Sequence, residues 1–194
     1  VAAQEDSFPF PAEAIEAAVR ELAESDYKSL AVIMASWDRA LPLLREAYAT
    51  APTPEAKLRC AHVLGIMGDA AGYETLAETV RNATEYDGER IDTYFPNITG
   101  LDSYMIALGR TRDRRATPLI LDKLEMLGHG KNGGLFSHYR AVGEALEQLG
   151  DPAAAEPLAQ LLRECGGAQE AVTEAGNTND TARGRGGVRN LILA

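Results

Sequence analysis

The feature that most restricts how this chain can fold is a pattern that returns along it. A helical stretch, a short Gly/Asp break and a second helical stretch recur in order. The first copy runs Lys28 to Ser36, Trp37-Asp38, then Arg39 to Tyr48. The second runs Glu55 to Met67, Gly68-Asp69, then Gly72 to Arg81. The third runs Leu101 to Thr111, Arg112-Asp113, then Arg115 to Leu127. The fourth runs Ser137 to Leu149, Gly150-Asp151-Pro152, then Ala154 to Cys165. The intervals between Asp38, Asp69, Asp113 and Asp151 scatter around the two-helix period of about 40 residues. At Gly68 and Gly150 glycine supplies a left-handed helix end, and Asp accepts from the free N–H groups that open the next helix. Pro152 directly after Asp151 suits a first helical position, and Pro42, Pro118 and Pro157 are expected near first turns.

Apolar spacing gives each stretch one stripe to bury. Tyr73, Leu76, Ala77 and Val80 repeat at helical intervals, as do Tyr139, Val142, Leu146 and Leu149, and Ala154, Leu158, Leu161, Leu162 and Cys165. Helix pairs with such stripes bury them by stacking on their neighbours. The expected fold is therefore all-α: an α-solenoid of about four helix pairs, with a lead helix and an incomplete last repeat.

The whole chain, 1–194, reads as one domain. Residues 1–25 hold a lead helix with Ile15, Ala18, Val19 and Leu22 in register, and 26–165 hold the four pairs. Residues 166–187 read as a flexible loop, and 188–194 (Val188, Leu191, Ile192, Leu193) as the start of a further helix. The first residue is Val1 rather than Met, so a processed product or a piece of a longer bacterial protein is expected.

Connections within units are short, but those between units are long: Asn82 to Gly100, Gly128 to Phe136 and Gly166 to Gly187. A helix-pair stack brings such loops to one edge, and long loops are commonly functional. The candidate interaction residues on them are Tyr86, Asp92, Tyr94, Phe95, Asn97, His129, Lys131, Asn132, His138, Arg183 and Arg185.

The stretches Ala61 to Asp69 (AHVLGIMGD), Ala107 to Pro118 (ALGRTRDRRATP) and Ala145 to Leu158 (ALEQLGDPAAAEPL) resemble HEAT repeats. The likeness is to the short HEAT-like kind first described in phycobilin lyases, and it covers about Lys28 to Cys165. It implies a scaffold for protein contacts or, as in the lyases, for holding a tetrapyrrole, and it transfers no catalytic residue. A narrower set also looks like the carboxy-terminal helical region of bacterial FAD-dependent oxidoreductase-like proteins: Phe8-Pro9-Phe10-Pro11, the ALGRTRDRRATP stretch and Arg189 to Ala194. That resemblance implies a flavin domain upstream, with FAD held there and no flavin-binding residue in these positions.

Charge and chemistry narrow the function classes. Lys plus Arg number 19 against 29 Asp plus Glu, a net charge of −10, which repels phosphate backbones and anionic lipid heads. No run of about 18 apolar residues occurs to span a bilayer. A soluble protein is expected, cytoplasmic or exported after signal removal. Cys60 and Cys165 are too few for a disulfide framework or a structural zinc site, and Cys165 reads as a small buried hydrophobe. Gly128-His129-Gly130-Lys131-Asn132-Gly133 fits G-x-G-x-x-G in letters, but Ile120, Leu124 and Leu127 precede it at helical rather than strand spacing. It reads as an inter-repeat loop.

His62, His129 and His138 have no metal-ligand spacing, and His62 reads as a histidine at the edge of the core. Ser29, Ser36, Ser103 and Ser137 suit helix capping better than nucleophilic attack. Arg183 to Gly187 reads as a polar linker rather than an RNA-binding segment, and the sequons at Asn82, Asn97 and Asn179 read as chance. Arg110, Arg112, Arg114 and Arg115 either pair with acidic neighbours, the preferred reading, or grip an acidic partner.

The expected function is a non-enzymatic scaffold or interaction domain without catalytic, cofactor-binding or metal residues. Its expected partner is a protein or an adjacent domain of the same polypeptide, with no nucleic acid and no membrane. The alternatives are the helical accessory domain of an FAD-dependent oxidoreductase and a small-ligand, tetrapyrrole-type lyase or chaperone.

Overall fold

The computed structural model describes residues 10–83, 99–126, 136–161 and 163. Among them the chain forms α-helices and short 3-10 turns in the order expected of stacked pairs. The helices are α1 (Ala12–Glu24), α2 (Leu30–Ala35), α3 (Trp37–Ala49), α4 (Pro54–Ile66), α5 (Tyr73–Asn82), α6 (Gly100–Arg110), α7 (Thr117–Met126) and α8 (Phe136–Leu149). Residues 155–161 are also helical. The long segments expected between units, the 166–187 loop, the 188–194 helix start, Cys165 and the Phe8-Pro9 opening lie outside the described residues.

The lead helix is α1, which buries Ile15, Ala18, Val19 and Leu22, the stripe its sequence presents. In α5 the stripe Tyr73, Leu76, Ala77 and Val80 is likewise buried. The first helix of each inner pair differs, because it has neighbours on both sides. In α4 every residue from Cys60 to Gly65 is buried, and α6 buries Leu101, Asp102, Ser103, Met105, Ala107, Leu108 and Gly109. A helix buried around its circumference is the signature of an inner layer. Accordingly α4 packs on α6 and α6 on α8, while α5 packs on α4 and on α6 of the next unit, and α7 on α8 of the next unit.

The breaks work as the sequence implies in three of the four units. Gly68 and Gly150 take left-handed backbone, φ 80° and 55°, and Arg112 does the same at φ 58°. The carboxylates of Asp69, Asp113 and Asp151 then accept from the backbone N–H two residues on, at 2.8, 3.0 and 3.0 Å. Each opens a single 3-10 turn (Ala70–Gly72, Arg114–Ala116, Pro152–Ala154) before the second helix.

The first unit departs from the expected break. Trp37 and Asp38 are not a turn: the interruption falls at Ser36, and α3 begins at Trp37. Asp38 sits in the first turn of α3 and accepts from the N–H of Arg39 at 2.9 Å, so it is no equivalent of the other three aspartates. Because the helix starts early, Pro42 lies inside it rather than at its start, where its ring nitrogen cannot donate to the Asp38 carbonyl. The serines also fail to cap, since Ser29 and Ser36 flank helices without a side-chain bond to them. Thr53 and Thr99 cap instead, with Pro54 at the first position after Thr53 and a reciprocal Thr99–Asp102 capping box on α6.

Candidate functional site

Alternating helix directions send the intra-unit turns to one edge of the stack and the inter-unit connections to the other. Both edges carry polar ties between successive units, but of different kinds.

At the connection edge the ties are buried. His62 of α4 is 1% exposed, and its Nδ1 lies 2.9 Å from the Tyr27 hydroxyl while Nε2 lies 2.7 Å from the Ser103 hydroxyl of α6. A neutral imidazole donates through one nitrogen and accepts through the other, so two hydroxyls satisfy it fully. Tyr27 and Tyr104 pack edge-on to the ring, with centroids at 5.4 and 5.0 Å. Burial disfavours the charged ring and brings its pKa down to about 3. Buried from solvent and bonded at both nitrogens, His62 ties the Tyr27 segment to α6 through Ser103. His62 is thus not at the edge of the core but inside it, and Ser103 is its partner rather than a cap.

One residue before Ser103, the Asp102 carboxylate is fully buried and accepts from Nδ1 of His138 at 2.8 and 3.0 Å. Its Oδ2 also accepts from the Thr99 N–H at 3.2 Å, completing the capping box. His138, expected on an inter-repeat loop, is instead buried in the first turn of α8, because a carboxylate of the preceding unit needs its N–H. Lys123 of α7 completes the edge. Its buried ammonium donates to the Ala83 carbonyl at 2.6 Å and the Arg81 carbonyl at 3.4 Å, closing the end of α5, and burial lowers its pKa.

Cys60 is buried and free, and burial raises its thiol pKa, which suppresses the reactive thiolate. Among the described residues no group of three or more His, Cys, Asp or Glu converges on a point where a metal could sit. No described helix is long and apolar enough to cross a membrane. The remaining candidates, Tyr86, Asp92, Tyr94, Phe95, Asn97, His129, Lys131, Asn132, Arg183 and Arg185, lie outside the described residues.

At the turn edge the ties are ion pairs nearer the surface: Arg45 with Asp69, Arg115 with Glu74, and the half-buried Arg110 with Glu144. Each joins a guanidinium on one unit to a carboxylate on its neighbour. Arg115 also pairs with Asp113, whose carboxyl it holds below the usual range, and stacks 4.2 Å above the Tyr73 ring.

Helix pairs stacked first helix on first helix, with capped turns on one edge and longer connections on the other, define an all-α repeat protein. The family model described as the PBS lyase HEAT-like repeat matches residues 139–164, which span α8, the Asp151 turn and the helical stretch after it. This segment is similar to a HEAT-like repeat, and the other helix pairs among the described residues repeat its plan. No curated protein and no solved structure matches the chain.

Proposed function

We propose that the chain is a non-catalytic interaction domain that presents its connection edge to another protein, or to another domain of its own polypeptide. The observation that carries this reading is the set of buried polar ties at that edge. Tyr27–His62–Ser103, Asp102–His138 and Lys123 with the end of α5 each bridge two units. Buried polar contacts of this kind fix register, because any slip leaves a desolvated group unpaired. The connections 84–98 and 127–135 therefore leave from a rigid base, as recognition segments on scaffolds do. Among the described residues, His62, Ser103, Asp102, His138 and Lys123 are engaged in holding that base together.

The test uses the full-length native polypeptide with Tyr94→Ala, Phe95→Ala and Lys131→Ala, singly and combined, in proximity cross-linking followed by mass spectrometry. The expected result is loss of the wild-type cross-links with the helical circular dichroism unchanged. Wild-type cross-links retained in the combined variant defeat the reading.

A further inference from the structure

Arg110, Arg112, Arg114 and Arg115 crowd four guanidiniums into one turn of a chain whose net charge is −10. Two of them are matched inside the chain. Arg110 lies 3.3 Å from Glu144 and donates to the Ile66 carbonyl, and Arg115 is bracketed by Asp113 at 2.7 Å and Glu74 at 2.9 Å. Arg112 and Arg114 are exposed, and among the described residues neither stands in an ion pair. Arg114 donates to the Gly150 carbonyl at 3.1 Å, and its charge is felt by Asp151, whose pKa is lowered mainly by the Ala153 N–H.

The backbone singles out the same residue. Arg112 occupies the turn position that Gly68 and Gly150 fill in the neighbouring units, and all three have positive φ. An L side chain is disfavoured there, because its Cβ crowds the following carbonyl. The chain therefore carries an arginine where its own repeats use glycine, and among the described residues Arg112 has no ion pair to repay the strain. Strain held at an exposed position points to a role outside the fold.

We propose that Arg112 and Arg114 form a docking point for an acidic segment of another protein. The chain itself shows the recognition chemistry: Arg45–Asp69, Arg115–Glu74 and Arg110–Glu144 are guanidiniums holding a neighbour's carboxylate along this edge. Arg112 and Arg114 offer the same planar donors, suited to bidentate carboxylate binding, and among the described residues neither is held in an ion pair. A short acidic segment fits better than a nucleic acid. A long polyphosphate would extend beyond the two arginines onto the acidic remainder of the surface, where repulsion is screened only past about 8–10 Å. The site is on the edge opposite the long connections, so it goes beyond the function proposed above and is decided separately from it.

Fluorescence anisotropy with a labelled, glutamate-rich synthetic peptide at low ionic strength tests the site. The comparison covers the wild-type chain, Arg112→Gly, Arg114→Gln, the double variant, and Arg20→Gln on the exposed surface of α1 as a control. The wild type and the control bind alike. Each single variant weakens binding about fivefold, the size of one exposed charge pair, and the double variant weakens it further. A thermal melt accompanies it: Arg112→Gly melts above the wild type, so its weaker binding is not unfolding. No binding by the wild type overturns the proposal. So does equal weakening in the control, unchanged binding in the double variant, or tighter binding of a labelled oligothymidine than of the peptide.

Discussion

His62 is where burial and pH meet most directly. Its ring is neutral in the fold, with a pKa near 3, whereas an unfolded histidine titrates near about 6.5. Between those values the unfolded chain binds the extra proton, so this contribution to stability is complete above the unfolded pKa and is lost as pH falls below it. Lowering the pH from about 7 to 5 should remove roughly 2 kcal/mol, read as a shift in urea midpoint at unchanged slope. Acids whose folded pKa is lowered, such as Asp113 and Asp151, lose their contribution only nearer the carboxylate range. The interval from pH 7 to 5 therefore isolates histidine. His62→Asn should flatten this interval, and an undiminished slope in that variant refutes the assignment. Arg112 gives the complementary case of backbone rather than charge. Replacing it with glycine relieves a left-handed L residue, for a gain of about 1 kcal/mol after the extra freedom of the unfolded glycine is counted. A melting temperature at or below the wild type contradicts the assigned strain.

Between elements, the closest approach decides the packing. A Cβ on Gly109 would stand 2.5 Å from the Ala145 Cα, and one on Gly65 would meet the Ala107 carbonyl oxygen at 2.9 Å. These glycines let α6 lie against α8, and α4 against α6, backbone to backbone. Gly109→Ala sets two effects against each other. Helix propensity favours alanine by about 1 kcal/mol, while forcing α6 off α8 costs roughly 1–3 kcal/mol or more, because main chain cannot swing aside. The clash wins, and chemical denaturation should show a net loss; a gain would mean that the helices are not in this contact. The apolar stripes of α1 and α5 and the Gly-Asp turns were legible from the sequence because each depends on spacing within one helix or one turn. His62, Asp102, Ser103 and Lys123 were not legible as inner residues. Their partners lie on a neighbouring unit, and a polar letter in a helical stretch reads by itself as solvent-facing. The break at Trp37-Asp38 misled for a related reason. An aspartate after a turn and an aspartate in a first turn look alike until the helix start is known.

At the scale of the molecule, stability in a stack is a sum of units and of the joints between them. Arg59 of α4 makes one such joint measurable, because its guanidinium donates to the carbonyls of Leu22 and Ala23 at 2.8 and 2.7 Å. Those are end groups of α1, which its own helix cannot satisfy, so the second unit supplies the C-terminal cap of the lead helix. α1 packs on α3 and α4 and shares a core with Leu30, Ile33, Leu44, Val63 and Leu64, whereas α6 and α8 lie in a second cluster around Met105, Leu108, Val142 and Ala145. Arg59→Ala should therefore act unevenly. Amide exchange in α1 should speed up by about tenfold, corresponding to a loss of about 1.4 kcal/mol in local opening free energy, while protection in α6 and α8 stays within a factor of two. A uniform drop across α1, α6 and α8 would mean that the chain opens only as a whole. An unchanged α1 would mean that its packing against α3 holds it without the cap. In a stack that opens unit by unit, the front can loosen while the buried ties at Asp102 and His138 keep the centre in register.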